Sequence, residues 1–188
     1  MEPQEPHEIE HHAHNKRIGL LIALMAAGLA FTEMAGRNAE TDVVRETVEA
    51  TDTWSFYQAK TIRASMLRAD AQALKLETAA NPAVSADVAK TIAEWEATAA
   101  REDSEPSTGE GRKELIVKAQ AIEKHRDERN AAKETYEFAS GALELGILLA
   151  STSIVTGMAG LAFLGGGFGA IGYVLGLLGW FAPQWIGG

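Results

Sequence analysis

From Leu145 to Gly188 the chain carries no Asp, Glu, Lys, Arg or His, a run of 44 residues. That is too long and too apolar for a helix in a water-soluble core. It suffices for two bilayer crossings, since one helical span needs about 20 apolar residues. A second apolar stretch, Ile18 to Ala35, has Glu33 as its only charge. Nearly all remaining charge lies between these stretches, so the expected fold class is an all-α membrane protein. One transmembrane helix near the N-terminus leads to a long antiparallel, coiled-coil-like helical stalk, and a glycine-rich transmembrane hairpin follows.

The charges narrow the function classes. Residues 37–141 hold 15 basic and 20 acidic groups. An acidic surface lacks the clustered Lys and Arg that displace counterions from nucleic acid, so no nucleic-acid partner is expected. Without a single cysteine, disulfides, thiolate catalysis and Cys-based metal sites are excluded. The acidic start argues against reading residues 18–31 as a cleaved signal peptide.

Proline spacing sets the elements. None occurs between Pro6 and Pro82, so one helix can run from the first span to about Ala80. Its outer part has a seam of apolar or small residues: Val44, Val48, Thr51, Ser55, Ala59, Ile62, Met66, Ala69, Ala73, Leu76 and Ala80. The steps of three and four follow a heptad with one extra step of four near Ser55, a stutter. The chain therefore divides into a His/Glu-rich tail (1–17), a span (18–36), a helical domain (37–141), a second span (142–164) and a glycine-rich turn with a spanning or re-entrant helix (165–188). Within the domain, helices are expected over 37–80, 85–101 and 112–141, with a mobile loop over 102–111. On the second helix Val88, Ile92, Trp95 and Ala99 share a face, with Ser85 as its cap. On the third, Leu115, Ile122, His125, Ala132, Tyr136, Ala139 and Leu143 form one stripe. The hairpin turn is expected at Gly165-Gly166-Gly167, with Trp180, Pro183 and Trp185 at the interface. Counting basic residues near the spans leans the helical domain toward the cytoplasm.

Four groups carry possible chemistry. His7, His11, His12 and His14 lie among Glu8 and Glu10 at i,i+4 spacings that suit a divalent transition metal, or form a solvated, pH-sensitive tail. Glu33 and Arg37 pair one turn apart at the membrane edge, with Glu144 a possible neighbour. Trp54, Phe56 and Tyr57 present aromatic surface on more than one side and are expected at an interface or in the core. Gly157, Gly169, Gly172 and Gly176 mark small-residue faces on which helices pack in lipid. Of the 18 glycines, 12 fall in the last 44 residues.

The stretch Thr53-Trp54-Ser55-Phe56-Tyr57-Gln58-Ala59-Lys60-Thr61-Ile62-Arg63, led by Glu49-Ala50-Thr51-Asp52, resembles the bacterial membrane proteins grouped as domain of unknown function 4337. The likeness extends over most of the chain. It implies an integral, mostly helical protein of the bacterial inner membrane and supplies no catalytic residues. No catalytic constellation is present, so an enzyme is not expected, nor is a cofactor beyond weak metal binding at the tail. The first reading is a membrane-anchored scaffold that self-associates and presents its stalk to a membrane-protein partner. An oligomeric pore or transport component and a metal- or pH-responsive accessory subunit remain as alternatives.

Overall fold

The computed structural model describes residues 6–80 and 86–182, with side chains over 15–79 and 87–182. It is all-helical among these residues. Helix α1 spans Pro6–Ala80, α2 Ala86–Asp103, α3 Arg112–Thr156 and α4 Ala159–Phe181. Three of them, α1, α3 and α4, contain segments long and apolar enough to cross a membrane. The chain divides into two units. One holds the residues up to Val44 with those from Arg126 onward, and the other holds Arg45–His125.

In the first unit, α1 and α3 run in opposite directions. Thr32 meets Ser140 at 2.8 Å, Glu40 meets Lys133 at 3.6 Å, and Asp42 meets Arg129 at 3.7 Å. Helix α4 runs along α1 in the same sense, with the Tyr173 hydroxyl donating to the Leu24 carbonyl at 2.5 Å and Trp180 beside Phe31. Ile18, Met25, Leu143 and Ala150 form the buried centre. Most large apolar side chains here point outward, among them Leu148, Phe163, Val174 and Leu177. That inversion suits a lipid surround, in which close packing rather than water exclusion holds helices together.

The turn between α3 and α4 corrects the expected hairpin. It lies at Gly157, whose φ of +72° breaks α3, while Gly165, Gly166 and Gly167 sit inside α4. A glycine triplet reads as a breaker in water. In lipid, unsatisfied backbone groups are costly enough to keep it helical, and its missing side chains serve packing. The shift lengthens the last helix to 23 residues, about 35 Å at 1.5 Å per residue. That exceeds the hydrocarbon thickness of about 30 Å, so α4 is long enough to cross.

In the second unit, α1 from Arg45, α2 and the start of α3 pack together. Ile92 and Ala99 of α2 are buried and Val88 and Trp95 half-buried, on the expected face. Leu115, Ala132, Tyr136, Ala139 and Leu143 of the α3 stripe are buried too, while Ile122 is half-buried and His125, expected on the same stripe, is exposed. The α1 seam is not. Val48, Ile62, Met66 and Leu76 are all more than half exposed, as is Val44 in the first unit. The packed face of α1 is the opposite one, with Glu46, Ala50, Thr53, Lys60, Ala64 and Ala71. Alanines allow close helix approach, and the two charged residues find partners. A search for apolar periodicity passes over such a face. Ser85, Asn81, Pro82, Pro183 and Trp185 lie outside the described residues.

Candidate functional site

Within the second unit the aromatic block is used by the chain itself. The indole Nε1 of Trp54 donates to Glu123 at 2.9 Å, and the Trp54 and Tyr57 rings meet edge-on at 5.6 Å. Arg112 lies over the Tyr57 ring and donates to its hydroxyl at 3.4 Å. This donation, opposed by burial, holds the Tyr57 phenol below its usual range. Phe56 stays exposed beneath the ammonium of Lys60. Of the three rings proposed for an interface, two are therefore packed in the chain and one is open.

Next to them is a charge cluster that sequence reasoning missed. Lys60 reaches Glu102 at 2.9 Å and Arg63 reaches the same carboxylate at 3.1 Å. Lys60 and Glu102 are both buried. Burial raises the Glu102 carboxyl's affinity for protons, but Lys60 and Arg63 outweigh it and hold the group below its ordinary value. Asp103 accepts from Arg112 at 2.8 Å and also pairs with Arg68. Ser104 donates to Glu114 at 2.7 Å, and the Glu105 amide donates to the same carboxylate. These bonds keep Glu114 acidic and tie the expected mobile loop to the first turn of α3. The cluster thus holds each of its carboxylates by a base or by hydroxyl and amide donors. Its signal in the sequence was weak, because partners far apart in the chain meet only after α2 folds back. The buried Glu46 accepts from the exposed His125 at 2.6 Å.

In the first unit the glycines bring helices together. A Cβ on Gly172 would stand 2.6 Å from the Leu143 side chain, one on Gly169 2.5 Å from Met25, and one on Gly176 3.0 Å from Thr32. These three expected packing positions thus pack α4 within the chain. Gly157 has nothing within 4 Å and serves the turn. Beside Gly28 and Gly176, an apolar groove of about 500 Å³ opens between α1 and α4, floored by Phe31, Tyr173 and Trp180.

Glu33 and Arg37 pair at 2.8 Å as expected, Arg37 exposed and Glu33 half-buried. With Glu137, Ser140 and Glu144 they line a polar cavity of about 370 Å³ between α1 and α3. The turn at Gly157 changes what Glu144 means. Only 12 residues, Leu145 to Thr156, separate it from the end of α3. A span of about 20 residues ending at this turn would therefore include it. Leu143 packs on Gly172, near the middle of α4.

The histidines His7, His11, His12 and His14 belong to residues whose side chains lie outside the description. Among the described residues, no group of three or more His, Asp or Glu could hold a metal.

Residues 14–182 match the family described as domain of unknown function DUF4337. The chain belongs to that family. No curated protein and no solved structure matches it. The match covers all the described side chains and none of the tail before His14, so the surfaces above all lie within the DUF4337 region.

Proposed function

We propose that this DUF4337 protein is a membrane-anchored helical scaffold that self-associates in the bacterial inner membrane and presents residues 37–141 as an antiparallel helical stalk to partners. The observation that carries the reading is the second face of α1. Val48, Ile62, Met66 and Leu76 recur at heptad spacing and remain exposed, opposite the face that α1 uses within its own unit. A helix with two such faces has one more than its own chain occupies. The pairing of Glu102 and Asp103 with bases of the same unit supports a structural role for the cluster. The native mass of the full-length protein in mild detergent tests the reading: a discrete homo-oligomer is expected, and a monomer at micromolar concentration overturns it.

One observation favours the pore or transport reading as second. Glu144 lies in a helix long and apolar enough to cross the bilayer, lining a cavity shared with Ser140, Glu137 and Glu33. Ionisable groups inside a membrane are costly and commonly mark ion or proton paths. Cation flux into proteoliposomes that is lost in Glu144→Gln would move the assignment to transport. The accessory-subunit reading rests on the histidine tail alone and gains nothing further.

A further inference from the structure

The exposed face of α1 also has an arrangement of charge and side-chain size that selects its partner. In the heptad frame of the seam, Val48, Ser55, Met66 and Ala73 take the a position, and Thr51, Ile62, Ala69 and Leu76 take d. The e flank then carries Arg45, Asp52, Arg63 and Asp70, alternating in sign, followed by Glu77 beyond the stretch that pairs. The g flank carries Thr47, Trp54, Ser65 and Gln72, none of them charged. The four charged residues and all eight core positions are exposed. Arg45 and Arg63 also reach Glu46 and Glu102 inside the chain, yet both side chains keep more than two thirds of their surface.

From these positions we infer that this face binds the same face of a second copy, antiparallel, about a twofold axis beside Gln58 and Ala59. The inference rests on the self-association proposed above and names its surface and direction. In a parallel pair, the e flank of one helix lies against the g flank of the other. All four charges would then face neutral residues. In an antiparallel pair, e faces e. One register sets Arg45 against the partner's Asp70 and Asp52 against the partner's Arg63, and the twofold axis repeats both pairs.

The same register matches the core. Val48 meets the partner's Ala69, Thr51 meets the partner's Met66, and Ser55 meets the partner's Ile62. Each layer joins one large side chain to one small one, which keeps its volume near constant. A parallel pair would stack Ser55 on Ser55 and Met66 on Met66, giving alternate gaps and crowding. The stutter between Ser55 and Ile62 falls on the axis, so the locally unwound stretches of the two helices meet each other. Paired this way, the two chains leave the shared segment toward residues 18–36 at opposite ends.

The absence of cysteine makes the test direct. In the full-length protein in mild detergent, Val48→Cys/Ala69→Cys is expected to form a disulfide-linked dimer on mild oxidation, while Val48→Cys alone stays uncrosslinked. The two positions are about 31 Å apart along one helix at 1.5 Å per residue, far beyond disulfide reach, so the link must join two chains. Arg63→Asp is expected to weaken the dimer about tenfold, and adding Asp52→Arg to restore it. Loss of the Arg63 contact to Glu102 alone would not be rescued in this way. Crosslinking of Val48→Cys by itself means parallel pairing and overturns the inference. A dimer that neither crosslinks at 48 and 69 nor responds to Arg63→Asp assembles elsewhere, which overturns the inference and leaves the scaffold reading standing. A monomer overturns both.

Discussion

A Cβ placed on Gly165 would stand 2.7 Å from the carbonyl oxygen of Gly146, and one on Gly146 would stand 2.8 Å from the carbonyl of Gly165. Here α3 and α4 touch backbone to backbone, and neither position can accept a methyl group without moving a helix. Gly165→Ala should therefore destabilise the first unit by about 1–3 kcal/mol, the usual cost of overpacking. Gly167, two residues on, has nothing within 4 Å. There Gly167→Ala should stabilise by about 0.5–1 kcal/mol through helix propensity. Thermal unfolding of both variants in the same detergent checks the opposite signs.

The pair at Lys60 and Glu102 bears on the second unit. Lys60→Met leaves the buried Glu102 carboxylate with only the exposed Arg63, and breaking a buried pair costs about 3 kcal/mol. Denaturant unfolding followed by circular dichroism measures this.

The same carboxylate gives a pH dependence with a definite sign. Its folded-state value lies below the ordinary one, so folding releases its proton more readily than the unfolded chain does. The contribution is complete above the ordinary Glu range of about 4.3 and is lost as pH falls through the lower folded value. Glu114 shifts the same way and adds to the slope. Stability of the second unit should rise with pH over this acid range, and Glu102→Gln should flatten the rise. An equally steep profile in the variant would remove Glu102 as a cause.

Much of this fold is legible from residues alone, and the exceptions share a cause. Proline spacing predicts the long α1, and the Leu115-to-Leu143 stripe predicts most of the buried side of α3, His125 being exposed and Ile122 half-buried. The α1 seam is also a real heptad face. What misleads is the assumption that the most apolar face packs inside the chain. Between Arg45 and Ala71 the packed face is Ala50, Ala64 and Ala71 with the charged Glu46 and Lys60. Their value depends on Glu102 and His125, far away in sequence. The glycine seam of α4 is legible as packing residues, but not which helix each one meets. Three adjacent glycines predict a turn at residues 165–167, where the structure keeps a helix, because such a run signals a break in water and not in lipid.

Gly157 takes a φ of +72° with open space around it. Any side chain there pays for the left-handed backbone and gains no contact. Gly157→Ala should cost about 1–2 kcal/mol, and Gly157→Asn less, since Asn tolerates that region. Equal stability of the two variants by thermal melting would show that the turn relaxes to another backbone conformation.

The position of the turn is itself open to test by labelling. With α3 ending at Thr156 and α4 starting at Ala159, Met158 lies between two helices that are each long enough to cross, and it is expected at a membrane surface if both do. Gly167 lies nine residues further on, about 13 Å along the axis at 1.5 Å per residue, and is then expected inside the hydrocarbon. In a chain without native cysteine, Met158→Cys should react with a membrane-impermeant maleimide applied to one side of reconstituted vesicles. Gly167→Cys, with no neighbour to crowd, should react only after the bilayer is dissolved. The reverse result would return the turn to the glycine triplet. It would also move Glu144 back to the membrane edge, and the main support for the transport reading would go with it.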